Sequence, residues 1–274
     1  MTEKKLLELI GKISPNARNY VHDELKNGNV ETIYSDYSEQ NQGVFIKVEN
    51  EDCCIFFACF LNDNFIDSSL KLIEEKTGKY ISNKYAKEIC FNVYGKNREI
   101  IDLVKSMGFI TDSEGHFLEY MGKAEITDSD LMEKYYNSNM IDEFANLFDS
   151  TYYQLCLDNG YEVDGYSKYK DGFDKTLQLY SENNQLSSFW NERELVGAYI
   201  FKGNFIMDIV IKPEYQCRGY GSYLLSHCVN RMIEKNTKRI MLKVLKTNHR
   251  AKKLYERKGF REISFFAEHT YSPK

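Results

Sequence analysis

The seven residues Gln216-Cys-Arg-Gly-Tyr-Gly-Ser222 have the make-up of a backbone anion site. Gly219 and Gly221 permit positive φ and let a ligand approach the main chain closely. Arg218 puts a full positive charge beside them. A pyrophosphate suits such a loop, because amides without partners at the start of a helix point outward as donors. Taken alone, the same letters also describe a plain turn with a glycine hinge. Cys217 lies in the loop, and there its amide matters more than its sulfur.

The flanking elements favour the anion site. Ile206 to Ile211 is a short apolar and β-branched run that reads as a buried strand, and Pro213 ends it. After the loop, Tyr223, Leu224, Leu225, Cys228, Val229, Met232 and Ile233 recur with helical period, while Asn230, Arg231, Glu234 and Lys235 fall on the other face. Arg239 to Leu245 then alternates as a strand. Asn248 is placed to cap a second helix, whose Ala251, Leu254 and Tyr255 share a face. Gly259 closes that helix, and Phe260 starts a last strand.

In these two segments the chain resembles the GCN5-related N-acetyltransferase (GNAT) family. The family signature Q/R-x-x-G-x-G/A follows a strand, as Gln216 to Gly221 does here, and the later pattern N-x-x-A-x-x-L-Y-E-x-x-G-F is matched letter for letter from Asn248 to Phe260. The likeness spans about 130 to 270. It implies acetyl-CoA as acyl donor, with Gln216, Cys217, Arg218, Gly219, Tyr220, Gly221 and Ser222 at its pyrophosphate and Asn248 as a further contact. Ile209, Val210 and Ile211 would pair with the pantetheine arm. In this family that strand splays from its neighbour, so an amide, of Ile209 or Val210, is left for the thioester oxygen. A primary amine of a small molecule or peptide would attack directly, with no covalent enzyme intermediate and no metal.

The departing thiolate needs a proton, and the resemblance assigns Tyr255 as the general acid; the same position also suits an ordinary core tyrosine. A general base is less well marked. Asp208 is the nearest carboxylate along the strand, with Glu192 or Glu162 behind it, and it reads equally as an edge or capping acid. His227 and His249, on the flanking helices, read as surface residues. The alternative to an enzyme is a non-catalytic acyl-CoA-binding scaffold, against which the retained Tyr255 argues.

Composition bounds the rest. A chain of 274 residues with 42% hydrophobic residues can build one large or two ordinary cores. No long uncharged apolar run and no cleavable leader are evident, so we expect no membrane span and a cytoplasmic location. The net charge of −5, with dispersed basic residues, argues against nucleic acid. Seven cysteines without C-x-x-C spacing read as free thiols in a reducing compartment, and a zinc site is not expected.

The first half repeats the second. Asn97, Leu103, Gly108 and Phe109 stand 151 positions before Asn248, Leu254, Gly259 and Phe260, without a gap, which suggests internal duplication. In that register Gln216 falls on Phe65, Gly219 on Ser68, Gly221 on Leu70 and Tyr255 on Val104, so the copy lacks both loop and phenol. Helices are expected over 2–13, 16–27 and 65–75, and strands over Val30 to Tyr37, Gly43 to Val48, Cys53 to Phe60, Glu88 to Tyr94 and His116 to Met121. We therefore expect two tandem α/β (α+β) domains, each a mixed, mostly antiparallel sheet with helices on both faces. Residues 1–124 would be the degenerate copy and 125–274 the catalytic domain. The tandem would act as a pseudo-dimeric monomer or as a homodimer.

Between the repeats, Leu131 to Tyr136 reads as a strand and Asn139 to Phe148 as an amphipathic helix. The tyrosine- and acid-rich stretch 152–169 reads either as cover for the acceptor, with Asp158, Glu162 and Asp164 facing a cationic amine, or as a solvated loop. Gln185 to Trp190 and Glu194 to Phe201 are the next strands.

Overall fold

The computed structural model describes residues 1–12, 14–38, 42–61, 67–82, 87–95, 97–125 and 128–271. Two compact units emerge: Met1–Phe117 together with Ile263–Lys274, and Leu118–Glu262.

In the first unit, helices α1 (Glu3–Gly11) and α2 (Pro15–Lys26) precede strands β1 (Val30–Tyr37), β2 (Gln42–Glu49) and β3 (Cys53–Phe60). Helix α3 (Asp67–Ser82), strand β4 (Glu88–Gly95), helix α4 (Arg98–Ser106) and strand β5 (Phe109–Tyr120) follow. The helix expected over 65–75 therefore runs on to Ser82, and Phe65 lies outside the described residues. β1, β2 and β3 pair antiparallel in turn, β4 joins β3 in parallel, and residues Phe265 to Thr270 pair antiparallel with β4. Alternation sends Phe45, Phe56 and Phe91 to one face, where their rings lie 5.8–5.9 Å apart against Ile73, Ile100 and Val104 of α3 and α4. Phe57 points the other way, 6.1 Å from Tyr20 of α2. Helices thus cover both faces.

The second unit holds β6 (Met132–Lys134), α5 (Ile141–Asn159), α6 (Gly165–Lys168), α7 (Lys170–Glu182), β7 (Leu186–Asn191), β8 (Glu194–Lys202) and β9 (Phe205–Ile211). Helix α8 (Tyr220–Glu234), strand β10 (Met241–Leu245), helix α9 (His249–Arg257) and strand β11 (Phe260–Tyr271) complete the chain. The sheet order is β10-β9-β8-β7-β6, antiparallel except for the parallel pair β9 and β10. One face packs Phe189, Tyr199, Leu224, Leu225, Cys228 and Leu242 beneath α8 and α9. The other packs Phe144, Phe148, Leu177, Trp190 and Val210 beneath α5 and α7. The mixed, mostly antiparallel sheet with helices on both faces is as the sequence implied.

The middle segment differs from expectation. The helix expected to end at Phe148 continues to Asn159, where Gly160 stops it in a left-handed turn (φ +71°). The stretch 152–169, read either as acceptor cover or as a solvated loop, is therefore largely helical. Its tyrosines obscured the period, because Tyr152 and Tyr166 face inward where an apolar residue would be the plainer signal.

The repeat is also visible in the element boundaries. Shifted by 151 positions, α4 (98–106) falls on α9 (249–257) and β5 (109–120) falls on β11 (260–271), end for end. With the same shift β3 lands on 204–211 and β4 on 239–246, overlapping β9 (205–211) and β10 (241–245) without matching their ends.

Candidate active site

The site is built where β9 and β10 part. Among the described residues they pair in parallel only at Phe205 with Met241 and Ile206 with Leu242, and beyond Ile206 that edge of β9 has no strand partner there. On its other edge β9 stays in register with β8 from Gly197 opposite Ile211 to Ile200 opposite Asp208. The Lys212 amide donates to the Val196 carbonyl at 2.9 Å. Strand alternation then turns the amides of Val210 and Asp208 toward β8 and those of Ile209 and Ile211 toward the open side. The Ile211 carbonyl fits this: it accepts from the Thr151 hydroxyl (3.1 Å) and the Gln216 side-chain amide (3.0 Å) rather than from a strand. Its place in a ladder is taken by two side chains.

The glycine loop lies at the end of β9. Gly219 caps α8 with φ +93°, and Cys217 also has positive φ (+61°), a conformation that costs a non-glycine residue roughly 1–2 kcal/mol. Two left-handed residues within three positions turn successive amides to one side, the way main-chain anion nests are made. Among the described residues, no hydrogen bond engages the amides of Cys217 to Ser222. Arg218 is exposed, its guanidinium 5.3 Å from the ring centre of Tyr215, and Tyr220 packs against the α8 core. Arg250, which the sequence gave no reason to single out, donates to Gln216 Oε1 (3.0 Å) and Cys217 Sγ (2.8 Å) and so fixes the loop from α9. Asn248 caps α9, accepting from the Ala251 amide at 3.1 Å.

Tyr255 stands on the face of α9 that packs on the core, its ring 6.0 Å from that of Phe260. Burial, then the Asp208 charge, then Cys228 push its phenol well above the usual range, so it is a proton carrier at neutral pH. Asp208 is half-buried on β9 and accepts from the Tyr152 hydroxyl at 2.8 Å. Desolvation raises its carboxyl to about 6, and the Tyr152 hydrogen bond opposes that rise. The same charge reaches Tyr166 and Tyr180, whose phenols are raised first by burial and then by Asp208. Tyr152 and Tyr166 lie nearly parallel, centroids 6.3 Å apart.

The other candidate carboxylates do not join this group. Glu192 is exposed in the β7–β8 turn, Asp158 is exposed and held by Gln154, and exposed Glu162 pairs with Lys168. His249 is exposed at the start of α9. His227, expected at the surface, is half-buried instead, its Nδ1 3.1 Å from the Tyr199 hydroxyl and its basicity lowered by desolvation.

Two strands that part below a glycine loop, with a phenol and a desolvated carboxylate in the same unit, have the features of an acyl-transfer site. Residues 141–260 match the model of the acetyltransferase (GNAT) family. Solved structures share the fold over most of the chain. An acetyltransferase of the GNAT family from Colwellia psychrerythraea is 11% identical with a TM-score of 0.55, over 87% of this chain and 84% of that one. A GCN5-related N-acetyltransferase from Sphaerobacter thermophilus is 10% identical with a TM-score of 0.55, over 97% and 91%. One from Kribbella flavida is 9% identical with a TM-score of 0.50, over 93% of each chain. Among curated proteins no sequence match is found. No group of side chains suited to a metal ion occurs among the described residues, and none of their helices is long and apolar enough to cross a membrane.

Proposed function

We propose that this protein transfers the acetyl group of acetyl-CoA to a primary amine, with the donor in the gap between β9 and β10. The short pairing of those two strands is the observation that carries the reading. The free amides of Cys217 to Ser222 and the charge of Arg218 suit the pyrophosphate. Residues 209–211 offer an unpaired strand edge to the pantetheine amides. Of the two amides left open by sequence, that of Ile209 faces the gap and is the oxyanion donor; one such donor is worth roughly 2.7–4 kcal/mol in other enzymes.

The amine nitrogen attacks the thioester carbon, and the carbon–sulfur bond breaks. Asp208 takes the proton that an incoming ammonium must lose before attack. Tyr255 protonates the leaving thiolate, and its phenolate recovers a proton from the tetrahedral nitrogen. The sum is amide, free coenzyme A thiol and one proton held by Asp208.

On the same reading, residues 1–124 are a copy whose cofactor site has closed, and 125–274 form the catalytic half. The coincident element boundaries support this, as does the pairing of β3 with β4, unbroken from Cys53 opposite Glu88 to Phe60 opposite Gly95. Thiol release from acetyl-CoA, followed over a panel of primary amines, tests the function. Amine-dependent release that falls in Tyr255→Phe supports it, and no release with any amine contradicts it.

A further inference from the structure

Asp208 is a desolvated carboxylate with a hydrogen bond and no counter-ion. Among the described residues, no lysine, arginine or histidine forms an ion pair with it, and its only hydrogen-bond partner is the neutral Tyr152 hydroxyl. The titratable groups that sense it are phenols, one from each of four helices: Tyr152 of α5, Tyr166 of α6, Tyr180 of α7 and Tyr255 of α9. Asp149, another acid on α5, is already engaged, since it accepts from the Tyr166 and Ser167 amides, each at 3.0 Å. Behind the tyrosines stand more rings: Phe148 lies 5.0 Å and Phe173 4.8 Å from Tyr166.

A carboxylate in such surroundings gains most from a cation that brings its own hydrogen-bond donors, and aromatic faces attract the same cation. We propose that Asp208, Tyr152 and Tyr166 form an ammonium cage, so the acceptor is an alkylamine that arrives protonated on an uncharged, apolar or aromatic stem. This rests on the acyl-transfer reading. It also moves recognition away from Asp158 and Glu162, whose exposed side chains already have partners. The ammonium would hold Asp208 ionised on binding and surrender one proton to it before attack. A carboxylate or phosphate near the acceptor nitrogen would repel Asp208 and find no basic partner, so free amino acids and phosphoamines are poor acceptors.

The test uses N,N-dimethylbenzylamine, a tertiary amine that is protonated and carries one N–H donor but forms no stable amide, and benzylsulfonate, its anionic counterpart, each titrated calorimetrically into the full chain saturated with coenzyme A. The cation should bind about tenfold more tightly at pH 8 than at pH 5, as Asp208 ionises, and benzylsulfonate should not bind. Asp208→Asn should lose that pH dependence and about tenfold in affinity, and Tyr166→Leu should lose severalfold. Circular dichroism checks the fold of both variants, and the wild-type pH dependence decides should either fail to fold. Equal binding of the two probes, or affinity unchanged in Asp208→Asn, overturns the cage. Cation binding as described without amine-dependent thiol release would leave the cage standing and remove the enzyme. Thiol release with anionic acceptors would do the reverse.

Discussion

Asn97 and Asn248 occupy the same position of a repeated strand–helix unit, yet their side chains bond differently. Asn248 turns inward to its own helix and accepts from the Ala251 amide. Asn97 makes no such cap; its Nδ2 donates to the Phe60 and Tyr94 carbonyls, each at 3.1 Å, and ties the ends of β3 and β4 together. At Gly95 the strands are so close that a Cβ would lie 1.8 Å from the Phe60 oxygen. Where the second unit has a gap, the first has a buried clamp.

Removing the clamp should be a matter of stability alone. Asn97→Ala leaves two buried carbonyls without that donor, a loss of about 2–4 kcal/mol from two hydrogen bonds and their desolvation. Urea denaturation should report it, while kcat at a temperature where the variant is folded stays within about twofold of wild type.

Tyr255→Phe keeps the ring that packs near Phe260 and deletes the proton. Turnover should fall about 100-fold or more, the usual contribution of a placed acid, with acetyl-CoA affinity within about twofold. Thiol-release kinetics at saturating amine measure the first, and calorimetry the second. Unchanged turnover would return Tyr255 to the core.

The raised carboxyl of Asp208 predicts two pH effects of defined sign. As a base it must be ionised, so kcat/KM should rise with pH through about 6, and that limb should vanish in Asp208→Asn. For stability, a folded value of about 6 above the ordinary 3.8 disfavours the ionised form in the fold. The burden is absent below about 3.8 and complete once pH has passed through 6. Asp208→Asn should therefore gain on wild type by roughly 2–3 kcal/mol more at pH 8 than at pH 3.5, read from melting curves.

Gly221→Val probes the loop without touching the chemistry. A Cβ there would meet Leu254 Cδ2 at 3.4 Å and Ile211 Cγ1 at 3.8 Å, ordinary contacts, so on the proposed reading the effect of the branched methyls is to hinder the close approach of the pyrophosphate. Calorimetric affinity for acetyl-CoA should weaken at least about tenfold, with a melting temperature near that of wild type.

Much of this was legible in the letters. Gly219 announces the turn because few residues tolerate its φ of +93°, while Gly221 has ordinary helical backbone inside α8, and Asn248 to Phe260 carries cap, face and stop in one line. The clamp at Asn97 was not legible, since the same letter in the same register serves as cap or as bridge depending on whether the strands beside it stay paired. The tyrosines of 152–169 could be read as acceptor cover, but not their gathering with Tyr180 and Tyr255 around Asp208, which only helix packing brings about. Arg250 escaped for a plainer reason. An exposed arginine in the first turn of a helix looks like solvated surface until the loop it holds is in place.

The most direct measurement is a crystal structure with acetyl-CoA bound. The pantetheine should lie along residues 209–211 with the thioester oxygen on the Ile209 amide at about 2.9 Å and the sulfur beside the Tyr255 hydroxyl. Coenzyme A found elsewhere, or β10 closed onto β9 along that edge, would contradict the site.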